Sequence, residues 1–522
     1  MRNILLFPIF IGLIFNINPI DSAKILGIFN MPSYSHFVLG ETLFKELAKQ
    51  GHEVTMMSAF PQKTPIKNYR DIYLEEASIA FKEHMKSGFD LLNFGKIPFI
   101  VKLFFISRMT FNVMEQSFEN KDVQNLIKSD EKFDLIIIEA FLNEAFYGFA
   151  HKFKAPVISL GTSDSSIWVN RLTANPSPSS FVVSPMLPYS PEMNLFQRLN
   201  NLISEITGEL VFNLFSKPQQ NALMHKYFPN APHLDDLVYN TSFVLLNSHP
   251  AQSAPVPLTP NMKQIGGFHI NHDNKLPDDI KKFLDDSKEG VVYFALGSNL
   301  KSASLPKEKL EAILNGFKKW KKPVLWKFED ESLPGKPDNV KISKWLPQPA
   351  VLAHPNVKVF ISHGGKLSIL EASYFGVPII GIPIFAEQPY NVQQINYAGN
   401  GFIMEFESIT EDVIYNNLVE ITSNPKYKNE AKLRSEAMRS GKMTALEEAV
   451  YWIEYVIKFK GAAHLRNHGI NLMWYEKYML DVACFVGLVF LGFAWLLKYC
   501  CKKFCKKSCN KSKKNQLKTK TQ

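Results

Sequence analysis

Residues 345–388 read WLPQPAVLAHPNVKVFISHGGKLSILEASYFGVPIIGIPIFAEQ, and this stretch decides the fold. An apolar run rich in β-branched residues at 357–361 predicts a buried strand. A His-Gly-Gly turn at 363–365 follows, and residues from about 367 to 374 predict a helix. Free N–H groups at a helix start, with a dipole equivalent to roughly +0.5 charge, attract a phosphate group. The stretch therefore predicts a strand, a glycine turn and a phosphate-binding helix.

The rest of the chain indicates two α/β halves. In the first half, strands are predicted at 24–29, 52–57, 133–139 and 156–160, with a helix between the first two that ends at Gly51. In the second half, strands are predicted at 291–295, 323–328, 340–343, 357–361 and 378–382. A proline-rich loop is predicted at 170–191 and an interdomain linker at 267–289. Alternating strands and helices predict a parallel, doubly wound sheet in each half.

Both ends of the chain carry apolar segments typical of membrane proteins. Residues 1–23 combine Arg2, an apolar run and small residues at the exit, and they predict a cleaved signal peptide. Residues 479–497 are apolar apart from Asp481 and long enough to cross a bilayer core of roughly 30 Å. Lysines follow this predicted transmembrane helix, so its C-terminal side is expected in the cytoplasm and the body in the lumen.

The formal net charge of +10 comes from the tail. Residues 498–522 contain ten lysines and no acidic residue, and the remaining 49 basic residues equal the 49 acidic ones. A neutral body gives no indication of nucleic-acid binding. Lys518 and Lys520 form a KxKxx pattern, typical of retrieval to the endoplasmic reticulum, which predicts a single-pass type I protein of that membrane. A solvated tail that binds anionic headgroups is the alternative, and the two are compatible.

The cysteines and one sequon bear on the covalent modifications expected of the chain. All five cysteines lie in the predicted span or tail: Cys484, Cys500, Cys501, Cys505 and Cys509. The body is therefore expected to have no disulfide, although a lumenal body would be in an oxidising compartment. Asn240 opens an Asn-Thr-Ser sequon and is a predicted glycosylation site.

Residues 345–388 resemble the signature of the UDP-glycosyltransferase family of animal membranes, the UDP-glucuronosyltransferase-like enzymes. The FISHGGKLSILEA core is similar to insect members, and the flanking WLPQ and AEQ elements set it apart from an ordinary Rossmann strand-turn-helix. The resemblance implies the GT-B fold, in which two Rossmann-like domains face across a cleft. The acceptor-binding domain is predicted at 24–288 and the UDP-sugar-binding domain at 289–465.

The resemblance also implies an inverting transfer that needs no metal or other cofactor. A base takes the proton of the acceptor hydroxyl as that oxygen attacks the sugar C1, and UDP leaves. His36, in MPSYSHF after the first strand, matches the base and lies where ligands bind in open α/β folds. Glu139, at the end of FDLIIIE, matches the Asp that orients this base in vertebrate relatives. Glu144 is the alternative orienting group.

Donor residues follow from the same resemblance. Trp345 is expected to stack on uracil beside Gln348, and Glu371 to bind the ribose. Glu387 and Gln388 are expected to bind the sugar hydroxyls. The predicted diphosphate contacts are Ser298, His363, Gly364, Gly365 and Ser368.

The sequence alone leaves the identity of the transferred sugar and of the acceptor open. Insect-like features favour UDP-glucose, whereas glucuronate needs a cation near C6. Of the 41 phenylalanines, several lie within 89–111 and suit an apolar pocket or a membrane-lying surface, although core packing accounts for most. The expected acceptor is a small lipophilic alcohol or phenol, as in detoxification or the conjugation of hormones or pigments. Glucuronosyl transfer, a lipid-linked glycan transferase and a non-catalytic UDP-sugar-binding subunit are the alternatives, and a homo- or hetero-oligomer is compatible with each.

Overall fold

The computed structural model of the protein describes residues 22–86, 94–271, 275–298 and 300–519, with side chains as far as residue 510. Nearly all of the predicted signal peptide and the end of the predicted retrieval signal lie outside the described residues. The chain divides into two units, Met1–Arg466 and Asn467–Gln522.

The first sheet is built from the first half of the chain. Its strands are β1 (Lys24–Phe29), β2 (Glu53–Ser58), β3 (Tyr69–Tyr73), β4 (Leu135–Glu139), β5 (Val157–Gly161), β6 (Phe243–Leu246) and β7 (Met262–Gln264). They pair in parallel in the order β3-β2-β1-β4-β5-β6-β7. The central strands are apolar on both faces because helices cover both sides, as expected for a parallel sheet.

The second sheet repeats this plan. Its strands are β8 (Val291–Ala295), β9 (Val324–Lys327), β10 (Val340–Ser343), β11 (Val357–Ser362), β12 (Ile379–Gly381) and β13 (Gly401–Ile403). They pair in parallel in the order β10-β9-β8-β11-β12-β13. Two doubly wound sheets are therefore present, as predicted.

Helices connect the strands of each sheet. Those from the first half are α1 (Tyr34–Lys49), α2 (Glu75–Lys86), α3 (Phe99–Glu119), α4 (Lys121–Lys128), α5 (Gly148–Phe153), α6 (Ile167–Asn170), α7 (Leu195–Val211), α8 (Lys217–Tyr227), α9 (Leu234–Val238) and α10 (Asp278–Asp286). Those from the second half are α11 (Lys307–Trp320), α12 (Gln348–Leu352), α13 (Lys366–Phe375), α14 (Gln388–Ala398), α15 (Glu411–Ser423), α16 (Pro425–Met438) and α17 (Ala445–Lys458). A π-helical turn, Phe212–Ser216, joins α7 to α8.

The strand order reverses once in each sheet, and these two places position the site. In the first sheet the reversal lies between β1 and β4, and in the second between β8 and β11. At such a switch point the loops after the two strands diverge and leave a crevice at their carboxyl ends. The loop after β1 leads to His36, and Glu139 is the last residue of β4. The loops after β8 and β11 lead to Ser298 and His363.

Two details differ from the sequence-based expectations. The segment 267–289 is not a featureless linker, because Asp278–Asp286 forms α10, whose Ile280 and Leu284 are buried beside the second sheet. Helix α17 falls in the range predicted for the second domain, yet Val450, Ile453 and Val456 pack into the core of the first sheet. The chain thus crosses back to the first half before it reaches Arg466.

The second unit is described by itself. It contains α18 (Trp474–Lys477) and α19 (Leu480–Thr519). Within the described part of the chain, Leu480–Asn510 of α19 is the one helical stretch long and apolar enough to cross a membrane, with a mean hydropathy of 2.3. This stretch begins where the transmembrane helix was predicted.

Candidate active site

His36 and Glu139 form a buried pair at the reversal point of the first sheet. His36 lies in the first turn of α1, and its Nδ1 is hydrogen-bonded to Oε1 of Glu139, the last residue of β4. Glu139 is fully buried, whereas the His36 side chain keeps 18 % of its surface exposed. When Nδ1 donates to the carboxylate, Nε2 is left as the nitrogen that can accept a proton.

The electrostatic surroundings favour the charged imidazole. Burial by itself lowers the pKa of His36, but the Glu139 carboxylate, its hydrogen bond and the charge of Glu387 outweigh burial and raise the pKa above 6.5. The pair therefore stabilises the imidazolium that forms when the ring takes a proton. This geometry suits a general base held in one orientation.

Glu144, the alternative orienting group, is engaged elsewhere. It begins the short 3₁₀ turn Glu144–Tyr147 and forms an ion pair with Arg171. Its other oxygen accepts a hydrogen bond of 2.7 Å from Gln220. In the structure Glu139, and not Glu144, is therefore hydrogen-bonded to His36.

His363 lies in a tight space between two glycines at the reversal point of the second sheet. A Cβ added to Gly297 would lie 2.6 Å from its Cε1, and one added to Gly365 would lie 2.6 Å from its Nε2. Gly364 has a φ of +86° and lies against Val392, so the turn also requires glycine there. Burial and the nearby Lys327 lower the pKa of His363 to about 4, and the ring is therefore neutral at physiological pH.

A hydrogen-bonded network fixes the predicted nucleoside residues. The Tyr293 hydroxyl donates to Gln348 Oε1 over 3.2 Å. Gln348 Nε2 in turn donates to Ser368 Oγ at 2.9 Å and to Glu371 Oε2 at 2.6 Å. The other Glu371 oxygen lies 3.4 Å from His269 Nε2. The amide, the hydroxyl and the carboxylate thus orient one another.

Trp345 offers an exposed aromatic face beside this network. Its side chain is 58 % exposed, and the ring contacts Tyr34 of the first half edge-to-face at 5.9 Å. Lys327 Nζ lies 5.7 Å from its centroid and donates to the Gly297 carbonyl at 2.5 Å. A planar base could therefore stack on Trp345 within reach of Gln348.

The Glu387-Gln388 pair lies at the start of α14. Gln388 Oε1 accepts hydrogen bonds from the backbone N–H groups of Ile384, at 3.0 Å, and Phe385, at 3.1 Å. This loop turns through Ala386, whose φ is +53°. Gln388 is buried with its amide NH₂ left for other partners, and Glu387 is half-buried.

One cavity of about 1580 Å³ brings these residues together. The predicted site residues that line it are His36, Ser298, Trp345, Gln348, His363, Gly365, Ser368, Glu371, Glu387 and Gln388. Glu139 lies behind His36, and the Gly364 carbonyl accepts a hydrogen bond from Asn391 at 3.0 Å. The first half contributes apolar walls from α2, α3 and the π-helical turn, among them Phe81, Phe105 and Phe212.

A comparison with models of protein families gives a match over nearly the whole chain. Residues 23–515 match the model described as "UDP-glucoronosyl and UDP-glucosyl transferase". The chain belongs to this family. It is therefore a UDP-glycosyltransferase.

Relatives of this UDP-glycosyltransferase come from insects and mammals. The chain is 34 % identical to UDP-glucosyltransferase 2 of Dactylopius coccus, an alignment that covers 95 % of this chain and 96 % of the relative. It is 28 % identical to UDP-glucuronosyltransferase 2C1 of Oryctolagus cuniculus, over 90 % of this chain and 96 % of the relative. The family resemblance, including its insect character, is confirmed.

Solved structures confirm the predicted GT-B fold. A UDP-glucose:anthocyanidin 3-O-glucosyltransferase in complex with UDP superposes with a TM-score of 0.56 at 18 % identity, over 84 % of this chain and 99 % of that one. The calicheamicin glycosyltransferase CalG4 also gives a TM-score of 0.56, at 15 % identity and with the same two coverages.

The UDP-glycosyltransferase site includes an ion pair that sequence reasoning missed. Lys366, the first residue of α13, donates to Asp164 Oδ2 at 2.6 Å and to Ser253 Oγ at 3.0 Å. Ser253 Oγ also donates to Asp164 Oδ1 at 2.5 Å, and both charged side chains are almost fully buried. Because Asp164 follows β5 of the first sheet, the pair joins the two halves next to the predicted phosphate site. A lysine after the glycine turn was the available signal, but its partner lies about 200 positions away.

Tyr293 and His269 were also missed. Each is flanked by apolar residues in the sequence, as a core residue would be. In the structure Tyr293 contacts Gln348 and His269 contacts Glu371, two of the predicted donor residues. Asn240 lies apart from the cavity, exposed after α9, where its side-chain oxygen accepts from Arg466. Within the described residues, no group of three or more His, Cys, Asp or Glu side chains is arranged to hold a metal ion.

Proposed function

We propose that this UDP-glycosyltransferase moves glucose from UDP-glucose to a hydroxyl of a small lipophilic acceptor, with inversion at the anomeric carbon. The observation that carries the proposal is the oriented His36–Glu139 pair, which faces the Glu387-Gln388 loop across one cavity. The base thus lies on the acceptor side and the sugar-binding residues on the donor side.

In the proposed reaction, His36 Nε2 takes the acceptor proton as the acceptor oxygen forms its bond to the sugar C1. The bond from C1 to the UDP oxygen breaks, and Glu139 stabilises the imidazolium. The N-terminus of α13, with His363 and Ser298, stabilises the negative charge that develops on the diphosphate. UDP leaves with that charge, and His36 returns its proton to solvent.

Two observations favour glucose over glucuronate. Two of the lysines that line the cavity are already engaged. Lys366 pairs with Asp164 and Ser253, and Lys327 pairs with the Gly297 carbonyl and Glu329. Neither is therefore free to pair with a carboxylate at C6. The Dactylopius relative named as a UDP-glucosyltransferase is also more similar to this chain than the rabbit glucuronosyltransferase.

The apolar walls of the cavity support a lipophilic acceptor. Phe81, Phe105 and Phe212 line the first-half side together with methionines and leucine, so an aromatic or steroid-like alcohol would bury its apolar surface there. We further propose that the reaction needs no metal ion, since the N–H groups at the start of α13 can stabilise the leaving diphosphate. Turnover should then be unchanged in EDTA.

The proposal is tested with membranes that contain the full chain or its His36→Ala variant. An equimolar mixture of UDP-sugars is offered with phenols and steroids, and conjugates are identified by mass spectrometry. A hexose adduct that is absent from the variant supports the proposal. A hexuronic acid adduct would show that the transferred sugar is not glucose. Retained UDP binding without any adduct would indicate a non-catalytic subunit.

We also propose that the protein is anchored in the endoplasmic reticulum membrane with the first unit in the lumen. The apolar stretch Leu480–Asn510 and the exposed sequon at Asn240 support this topology. In cells, a glycan sensitive to endoglycosidase H should be present on the wild type and absent from Asn240→Gln. An unglycosylated wild type that is digested by protease added outside intact microsomes would place the body on the cytoplasmic side.

A further inference from the structure

Four cysteines lie close together on α19, just after its apolar part. They are Cys500, Cys501, Cys505 and Cys509, and each is an exposed free thiol. The body of the chain, residues 24–466, contains no cysteine. The proposed sugar transfer uses none of these thiols, so they are available for a chemistry of their own.

Aromatic side chains mark the level of α19 that meets the membrane surface. The rings of Trp495 and Tyr499 stack with their centroids 5.8 Å apart, and Lys503 Nζ lies 5.7 Å from the Tyr499 ring. Trp and Tyr are enriched where the bilayer core meets the headgroups, and lysines there extend toward water. From Leu480 to Tyr499 the helix rises about 29 Å, close to the core thickness of roughly 30 Å. Tyr499 therefore lies at the boundary between the core and the headgroups.

This boundary separates the four cysteines by depth. Cys500 and Cys501 follow Tyr499 by about 1.5 and 3 Å along the helix axis, whereas Cys505 and Cys509 follow it by about 9 and 15 Å. The headgroup layer is about 5–8 Å thick on each side of the core. The first two thiols therefore lie at headgroup level, and the last two lie beyond it.

We propose that Cys500 and Cys501 are S-acylated with a long-chain fatty acid. The proposal rests on the topology proposed above, in which this end of α19 is in the cytoplasm, where thiols stay reduced. A cysteine thiolate attacks the carbonyl carbon of a long-chain acyl-coenzyme A. The bond from that carbon to the coenzyme A sulfur breaks, and coenzyme A leaves as its thiol with the proton that the cysteine gave up. Nothing is oxidised or reduced, and the product is a thioester on the helix.

Other uses of clustered cysteines fit the pair less well. Within the residues that the structure describes, no group of three or more His, Cys, Asp or Glu side chains could hold a metal ion. Adjacent residues on a helix do not face each other, so Cys500 and Cys501 cannot form a disulfide with one another. A disulfide between two copies of the chain is disfavoured in a reducing compartment. An acyl chain, by contrast, would extend from either thiol straight into the apolar core.

Acylation would fix the position of the basic segment that follows. Four lysines come directly after the pair: Lys502, Lys503, Lys506 and Lys507. Acyl chains on Cys500 and Cys501 would hold these lysines near the headgroups, where anionic lipids of the cytoplasmic leaflet attract them. The modification would therefore keep the start of the tail against the membrane.

The test labels eukaryotic cells that express the full chain with an alkyne analogue of palmitic acid. The purified protein is coupled to an azide dye, with and without neutral hydroxylamine, which cleaves thioesters. Cys500→Ser/Cys501→Ser is the test variant, and Cys505→Ser/Cys509→Ser is the matched control on the same helix. All four side chains are exposed, so serine should leave the fold intact. Endoglycosidase H digestion of the same samples reports the topology through the glycan expected at Asn240.

The expected result is a hydroxylamine-sensitive label on the wild type that falls by about fivefold or more in the test variant and stays within about twofold in the control. Equal label in the wild type and the test variant would overturn the proposal. An unlabelled wild type that carries the Asn240 glycan would overturn acylation and leave the topology standing. An unlabelled wild type without the glycan would overturn both. A dimer on non-reducing gels that is lost in the test variant, with no label, would assign the pair to a disulfide between copies.

None of these readouts requires sugar transfer. The acylation can therefore fail while the proposed activity stands, and the reverse also holds.

Discussion

The proposed donor and acceptor sides of the cavity are built in different ways. On the donor side, polar groups are already paired: Gln348 bonds to Tyr293, Ser368 and Glu371, and Gln388 bonds to the backbone of its own loop. On the acceptor side, aromatic and aliphatic side chains from separate helices form the wall, and His36 is its oriented polar group.

This difference indicates which residues should determine specificity for the donor and which for the acceptor. A donor with a fixed polar shape is recognised by preorganised hydrogen bonds, and most of these come from one continuous stretch of about 45 residues. An apolar acceptor is recognised by shape and burial, which many side chains share and few determine alone. Substitutions on the donor side should therefore change UDP binding, and those on the acceptor side should change turnover or acceptor choice.

The largest effect is expected from His36→Ala. Without the base, kcat should fall by about 10²–10⁴-fold, the usual contribution of general base catalysis. The dissociation constant for UDP, measured by calorimetry, should stay within about twofold of wild type because His36 lies across the cavity from the predicted nucleotide site. Loss of UDP binding and turnover together would show that the two sides are not separable.

Breaking the Lys366–Asp164 pair should have the next largest effect, mainly on stability. Lys366→Met or Asp164→Asn leaves one buried partner without its counterpart, which costs roughly 3–5 kcal/mol in the free energy of unfolding. The double variant should be less destabilised than the sum of the single variants, as measured by denaturant unfolding in detergent. Additive losses would mean that the two side chains do not interact across the halves.

Gly365→Ala should weaken the donor side alone. The new Cβ would lie 2.6 Å from His363 Nε2, so the ring or the turn must shift, and UDP affinity should fall about tenfold or more, or roughly 1.4 kcal/mol. Gly376→Ala, at the other end of α13, is the matched control. Its φ of +67° makes alanine strained, but it should reduce stability without changing UDP affinity. Equal effects of both variants on UDP affinity would contradict a local role for the glycine turn.

Glu139→Gln should move the acid limb of the pH profile. In wild type, kcat/KM should fall as the pH falls through the raised pKa of His36, above 6.5, because only the neutral ring accepts a proton. Without the Glu139 charge, burial lowers the pKa of His36, and the limb should move toward acid. Glu144→Gln should leave the limb in place, since Glu144 pairs with Arg171. A limb at the same pH in all three proteins would exclude Glu139 as the orienting group.

The smallest effect is expected from Phe105→Leu on the acceptor wall. Loss of the aromatic ring should raise KM for flat aromatic acceptors by about fivefold, or roughly 1 kcal/mol, and leave KM for UDP-glucose unchanged. Phe104→Leu is the matched control, since Phe104 is an exposed residue of α3 and does not line the cavity. If Phe104→Leu raised acceptor KM as much as Phe105→Leu, the described wall would not be the acceptor site.

Most of the fold could be predicted because its signals are local. The apolar runs at β4 and β11 and the glycine turn before α13 each lie within a few residues, and the strands they predict occur within one or two positions. The expectation of a linker at 267–289 was wrong over α10, because Asp and Lys on the outer side of a short amphipathic helix resemble a polar loop in composition.

Local sequence could predict the part of the candidate site that lies in one segment, and the family resemblance added His36, Glu139 and Ser298 from other segments. Gln348, Ser368 and Glu371 lie close in sequence and in space, whereas Lys366 and Asp164 meet only through the arrangement of the two halves. The orientation of α7 also depends on tertiary contacts. Its sequence is amphipathic, but the hydrogen bonds of Asn201 decide which side faces inward.

The measurement that tests the central claim most directly is the configuration of the product. Glu387 lies near enough to His36 to affect its pKa, so a carboxylate attack on C1 is the competing route. The full chain is incubated with UDP-α-glucose and a phenol, and the anomeric coupling constant of the conjugate is measured by proton NMR. A β-glucoside is predicted, because one displacement by the His36-activated hydroxyl inverts C1. An α-glucoside would require two displacements and would contradict the assignment of His36 as the base of a direct transfer.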